Sequence, residues 1–256
     1  MTHLYALVNQ KGGVGKTTTA INLSAYLAQL GQRVLLVDLD PQANATSCLG
    51  IDKRKVEQGA YEVLMEESSP AEAILFNAKL KITLMPSAPE LSGAEVELVN
   101  EIGREMRLKQ RLSLISKDYD YILIDCPPSL SILTVNALVA ADSVIVPVQC
   151  EYLALEGLGQ LAQTISRVRS ALNPSLTIRG LVMTMFDART GLSTQVVDEV
   201  RKHFPGKVFK SVVPRSVRLA EAPSHGVPIS AYAPSSTGAQ AYHALAEELL
   251  KGDRKQ

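Results

Sequence analysis

Residues 9–18, "NQKGGVGKTT", gather three glycines, two lysines and two threonines in ten positions. Those residue types suit one task, holding phosphate. Gly12, Gly13 and Gly15 let backbone N–H groups curl around anionic oxygens without Cβ clashes. The Gly15-Lys16-Thr17 ending fits the pattern Gly-x-x-x-x-Gly-Lys-Ser/Thr, in which the lysine reaches the β/γ-phosphates and the hydroxyl binds Mg²⁺. Two departures stand out. The first glycine of that pattern is due at position 10, which holds Gln10, and a second lysine, Lys11, stands five residues before Lys16.

Three aspartates extend the reading. Asp125 closes the apolar run "YILID", and Asp38 and Asp40 close "RVLLVDLD". A carboxylate at such a strand end suits a magnesium ion held through its water shell. A lone aspartate after a strand is ordinarily a turn or helix cap; three beside a phosphate loop point to chemistry.

The elements that must carry these groups follow from periodicity. "HLYALVN" (3–9) is a short apolar run that stops at the glycines and reads as a buried strand. Residues 16–31 place Ile21, Leu23, Tyr26, Leu27 and Leu30 at helical spacing, with Gly31 as the stop. Further strands are predicted over 33–40, 119–128, 142–149, 178–186 and 207–214, with helices near 90–117, 130–140, 153–172, 192–203 and 237–250. Residues 50–79 are the least legible and read as short helices. Strand alternating with helix predicts an α/β fold, a doubly wound, mostly parallel sheet covered on both faces. Ligands of such sheets sit at the carboxyl ends of the strands, where all three aspartates and the glycine loop converge. The 256 residues, without repeats or a low-complexity linker, read as a single domain over 1–256.

At this point the sequence resembles the ParA/Soj family, within the larger group of deviant Walker A P-loop ATPases that includes MinD. "KGGVGKTT" resembles that group's loop, "VDLDPQANAT" (37–46) its second motif and "ILIDCPPSL" (122–130) its third. "PVQCEYLALEGL" (147–158) and "VPRSVRLAEAPSHGVPI" (213–229) are similar to segments of Soj-type partition proteins. The resemblance spans nearly the whole chain. It implies ATP and Mg²⁺ as ligands, an ATP-dependent homodimer, slow hydrolysis, and a ParB/Spo0J-like partner that speeds it. It implies nucleotide contacts from Lys11 through Thr18, Val14 included, and from Pro214 and Ser216. Ser216 departs from the asparagine common there. Lys11 matches the signature lysine that reaches the partner's nucleotide across the interface, as an arginine finger would. Asp40 matches the residue that positions the attacking water. Thr17 and, through water, Asp125 match the magnesium site, with Asp38 structural or in the outer shell of the ion.

Net charge is uninformative, with 26 basic and 26 acidic residues. Its distribution is not. From Arg201 to Arg218 the chain carries Arg201, Lys202, Lys207, Lys210, Arg215 and Arg218 and no acid. The family's arginines matching Arg189 and Arg218 contact DNA phosphates, which makes Arg189, Arg215 and Arg218 the candidate DNA contacts. With no recognition-helix module and no interleaved aromatics, double-stranded DNA held without base readout is the expectation.

Other classes fit less well. No run of 18 apolar residues is present, and the C-terminal helix carries Glu247 and Glu248 on its polar side, unlike a basic membrane anchor. A MinD-like membrane ATPase is therefore the first alternative. A small-molecule kinase or ligase of the same fold is the second; it leaves Lys11 and the basic run without a use. His3, His203, His225 and His243 show no metal spacing. Cys48, Cys126 and Cys150 form no C-x-x-C pair and read as thiols in a reducing compartment. The first strand begins so early that a signal peptide is not expected. The expected location is cytoplasmic and nucleoid-associated.

Overall fold

A computed structural model describes residues 2–152 and 154–254. Seven strands, β1 (His3–Leu7), β2 (Val34–Asp38), β3 (Leu75–Asn77), β4 (Ile82–Met85), β5 (Tyr121–Asp125), β6 (Ser143–Gln149) and β7 (Thr177–Thr184), form one sheet in the order β3-β4-β2-β5-β1-β6-β7. All neighbours are parallel except β3, which runs antiparallel to β4 at the edge.

The helices are α1 (Lys16–Gln29), α2 (Asn44–Cys48), α3 (Ala60–Met65), α4 (Leu91–Glu97), α5 (Arg107–Ser113), α6 (Ile132–Ala140), α7 (Ala154–Ala171), α8 (Gly191–His203), α9 (Val217–Glu221), α10 (Ile229–Tyr232) and α11 (Thr237–Asp253). Strand alternation sorts the core into two faces. Tyr5 and Leu7 of β1, with Leu36 and Leu123, meet Leu23 and Leu27 of α1 and Tyr242, Leu245 and Leu249 of α11. Ala6 and Val8, with Leu35 and Ile124, meet the helices opposite through residues such as Leu64, Leu91, Leu108, Leu133 and Leu161. Both faces are dry, so these strands read as continuous apolar runs.

Three expectations need correcting. The stretch 207–214 runs beside β7 and the residues just past it through scattered backbone hydrogen bonds and two isolated bridges, Leu181–Val208 and Phe186–Pro214, and forms no regular strand. The helix expected over 90–117 is broken into α4, single turns and α5. Gly103, at φ +71°, turns the chain between them in a conformation that L side chains resist. Finally, β4 and the edge strand β3 lie outside the predicted strands; each is too short for its alternation to stand out.

Register positions the chemistry. Asp125 is the register partner of Leu7 on one side and of Asp38 on the other. The carboxyl ends of β4, β2, β5 and β1 thus lie side by side, and the glycine loop leaves β1 above them.

Candidate functional site: a phosphate trough beside a base pocket

Between β1 and α1 the loop turns through Gly13 (φ +75°) and Gly15 (φ +88°), both in the left-handed region that favours glycine. At Gly12 no protein atom occupies the space within 4 Å of where a Cβ would sit. Gly15 is also the N-cap of α1 and offers no side-chain cap, which leaves the amides of the first turn to a ligand. Thr184 at the end of β7 ties the loop down, its buried hydroxyl donating to the Val14 carbonyl at 2.8 Å.

A cavity of about 310 Å³ opens there, lined by Gly12, Gly13, Gly15, Lys16, Thr17, Thr18, Asp40, Asn44, Cys48, Pro128 and Met185. A second, of about 220 Å³, is lined by Thr184, Pro214, Arg215, Ser216, Leu219 and Tyr242, among others, and shares Gly15, Thr18 and Met185 with the first. The two adjoin at those shared residues, the first polar and glycine-rich and the second mostly apolar. Met185, one of the shared residues, holds a left-handed φ of +52°, strain of the kind that collects at binding sites.

The trough is electrostatically unfinished. Lys16 is buried, its ammonium 3.4 Å from the Lys11 carbonyl, and burial lowers its pKa against the pull of Asp125 and Asp40. Asp125 is fully buried and neither carboxylate oxygen has a hydrogen-bond partner. Burial foremost, then Asp38, raises its pKa well above the carboxylate range; the nearby Thr17 hydroxyl, outside hydrogen-bonding geometry, and Lys16 act the other way. An orphaned buried carboxylate calls for a cation. Among the described residues no cluster of three or more His, Cys, Asp or Glu forms a metal cage. A magnesium ion that keeps most of its water and leans on phosphate oxygens needs none, so the residues present fit it.

Asp38 differs. One of its oxygens accepts from the Thr46 N–H at 2.8 Å and the Thr46 hydroxyl at 2.7 Å, the other from the Asp40 N–H at 3.3 Å. Burial raises its pKa to about 6 against those bonds. Its acceptors are committed to the loop. Asp40 lines the trough; its Oδ1 accepts from the Gln42 N–H at 2.9 Å, and its Oδ2 has no partner among the described residues.

Lys11 stands outside the trough. Its ammonium lies 3.2 Å from Glu151, with both side chains more than two-fifths exposed. Glu151 also accepts from Gln149 and faces Arg215 at 3.8 Å. It precedes α7 in the chain, but cations, and not only a helix end, hold it. From the sequence alone Glu151 reads most simply as a carboxylate at a helix N-terminus. Tyr242 was missed too: it walls the apolar pocket and shares a hydrogen bond with Thr19 of α1 at 3.1 Å.

The basic run is acid-free only along the chain. In the fold Arg218 pairs with Glu221 at 2.9 Å, Lys202 with Glu199 at 3.9 Å, and Arg189 with Asp187 at 2.7 Å. Arg189 holds the Asp187 carboxyl down at about 2. Arg215 lies at the apolar pocket, its N–H bonded to the Phe186 carbonyl at 2.9 Å.

Comparison with known proteins agrees with this geometry. The sequence model of the AAA domain family matches residues 2–178. The chain is 55% identical to the sporulation initiation inhibitor protein Soj of Bacillus subtilis, over 97% of this chain and 98% of that protein. It is 52% identical to the chromosome partitioning protein ParA of Myxococcus xanthus, over 98% and 88%. A Mycobacterium smegmatis structure described as cobyrinic acid a,c-diamide synthase with ADP and magnesium superposes with a TM-score of 0.88 at 40% identity, covering 99% of this chain and 96% of that one. The septum site-determining protein MinD of Pyrococcus horikoshii, complexed with Mg-ADP, superposes at 0.80 and 27% identity, covering 99% of both. A parallel sheet carrying a glycine loop and three strand-end aspartates, joined to identity above one half over nearly the whole length of a Soj protein, makes this chain a member of the ParA/Soj family of chromosome-partitioning ATPases.

Proposed function

We propose that the chain is an ATP-driven dimerisation switch. Its ATP-bound homodimer holds double-stranded DNA without reading sequence, and a ParB/Spo0J-like centromere-binding partner accelerates its hydrolysis. The observation that carries this reading is the separation of the two loop lysines. Lys16 is buried in the trough, while Lys11 lies outside it, half-exposed, on Glu151. One cation serves the protomer's own nucleotide, and the other is free to serve a second copy's.

ATP with Mg²⁺ supplies the phosphoryl group and the counter-charge for its transfer. The chain's residues do the rest. Amides of Gly12, Gly13, Val14 and Gly15 cradle phosphate oxygens, and Lys16 neutralises them. The Thr17 and Thr18 hydroxyls stand at the first turn of α1; Thr17 and Asp125 hold the metal side. Pro214 and Ser216 frame the base. Asp40 orients the attacking water through its free oxygen. Lys11 from the other protomer adds positive charge where the transition state spreads negative charge.

On the outer surface Arg189, Arg215 and Arg218 exchange exposed carboxylates for DNA phosphates, which ties the protein to the nucleoid. The monomer presents half the contacts, so binding needs the dimer. The test is DNA binding with ATP, ADP or no nucleotide across a salt titration. Tight, salt-sensitive and sequence-indifferent binding with ATP alone is expected; equal binding in all three states overturns the reading.

A ligase reading is favoured by the likeness to the M. smegmatis cobyrinic acid a,c-diamide synthase, and ADP release that depends on a small metabolite would select it. The membrane reading has less support. The apolar face of α11 is spent on α1 and the sheet through Tyr242, Leu245 and Leu249, and no described helix is long and apolar enough to cross a membrane.

A further inference from the structure

We propose that Thr46 and Ser87 are positioning residues for Asp40, acting through a closed, buried ring of hydrogen bonds. The inference rests on the reading of Asp40 as the carboxylate that orients water. Four residues from three parts of the chain make the ring. The Thr46 hydroxyl, on α2, donates to Asp38 at 2.7 Å and accepts from the Ser87 N–H at 2.9 Å. The Ser87 hydroxyl, two residues past β4, donates to the Asp40 carbonyl at 2.8 Å. The Asp40 N–H returns to Asp38 at 3.3 Å. Asp38, Thr46 and Ser87 are inaccessible to water and Asp40 nearly so.

The ring fixes the backbone of Asp40 from both sides, its N–H through Asp38 and its C=O through Ser87. The same carbonyl accepts from the Ala43 N–H at 2.8 Å, and Ala43 sits at φ +49°, a turn that an L residue adopts only when its surroundings hold it. With the main chain pinned and Oδ1 taken by Gln42, only the aim of Oδ2 into the trough is left to set. Neither Thr46 nor Ser87 lines the trough, so neither touches the nucleotide. Asp38 serves the same frame.

The test compares phosphate release at saturating Mg-ATP, ATP affinity and thermal stability in Ser87→Ala, Thr46→Val, Thr46→Ser and Asp40→Ala, and the double variant Asp40→Ala/Ser87→Ala. A misaimed group costs about tenfold or more in rate. The expected result is a kcat about tenfold lower in Ser87→Ala and Thr46→Val, with ATP affinity within about twofold of wild type. Thr46→Ser, which keeps the hydroxyl, restores the rate, and Ser87→Ala costs nothing further in the Asp40→Ala background. Ser87→Ala removes one hydroxyl and spares the N–H bond, so it carries the test should Thr46→Val not fold. Wild-type kcat in Ser87→Ala beside an inactive Asp40→Ala overturns the proposal. So does a joint fall of rate, affinity and stability that Thr46→Ser fails to rescue, because that marks a merely structural role. Wild-type turnover in Asp40→Ala itself is a different failure, that of the reading of Asp40.

Discussion

At the carboxyl ends of β2 and β5, Asp38 and Asp125 are wholly withdrawn from water, whereas Arg189 and Arg218 on the outer surface are 86% and 61% exposed. Of the inner two, Asp38 is held by three hydrogen bonds, while Asp125 has no hydrogen-bond partner at all among the described residues. The two outer charges are both partnered, by carboxylates three residues away or fewer. Exposed pairs of that kind are worth about 0–1 kcal/mol and trade readily for another anion. A buried charge left unpaired costs several kcal/mol. The trough is therefore built to demand a particular ligand and the surface to accept many, a contrast that fits the proposed switch.

Removing the inner cation should have the largest effect. Lys16→Ala leaves Asp125 and Asp40 without that counter-charge at the phosphate end, and ATP affinity should fall by about 100-fold or more in a fluorescent-nucleotide titration, a charged hydrogen bond being worth about 1.5–3 kcal/mol before the stranded acids are counted. Affinity within a few-fold of wild type would dissolve the distinction between the regions.

Next comes Lys11→Ala. If its ammonium serves the other protomer, as proposed, ATP binding should change less than about threefold while ATP-dependent dimer disappears from size-exclusion profiles, an interfacial charge facing a phosphate being worth several kcal/mol. A normal dimer would assign Lys11 to its own nucleotide.

The outer arginines should matter less singly. Arg189→Ala and Arg218→Ala should leave nucleotide binding alone and weaken DNA binding alike for all sequences. Each removed contact lowers the salt slope by about one, and a dimer loses two per substitution. Loss confined to one DNA sequence would point to base readout instead.

The smallest effect sharpens the contrast most. The pKa of Asp125 is raised in the fold, so the native state binds its proton more tightly than the unfolded chain does. Its ionisation therefore destabilises the nucleotide-free protein above the ordinary carboxylate pKa, and the penalty fades as the pH falls and the proton returns. Asp125→Asn should stabilise the nucleotide-free protein at about pH 7.5 by roughly 0.5–2 kcal/mol in urea, and the advantage should shrink toward about pH 4. The same variant should lose the stabilisation that Mg-ATP gives wild type. An Asp125→Asn variant less stable than wild type near neutral pH would mean that the orphaned carboxylate is not strained.

Much of this was legible in the chain. The glycine loop, the apolar runs ending in aspartate and the helical spacing of α1 and α11 are local signals, and the structure places each where periodicity put it. Ser87 was invisible because its meaning is a register. It lies beyond a four-residue strand that pairs with β2, and only that pairing brings it to Asp40. Thr46 was in plain view within "VDLDPQANAT" but carried no role until its hydroxyl was seen between Asp38 and Ser87. The run is acid-free only along the chain for the converse reason: its counter-charges come from Glu151, Glu199 and Glu221, outside the run.

The base pocket draws on distant parts of the chain, Gly15 and Thr18 on one side and Pro214 to Tyr242 on the other. During synthesis the phosphate loop emerges early, but its apolar neighbour waits for α11, more than two hundred residues later. A nascent chain thus goes through most of translation without a complete nucleotide site. ATP occupancy marks a finished molecule, because a chain cut short before α11 lacks that apolar wall.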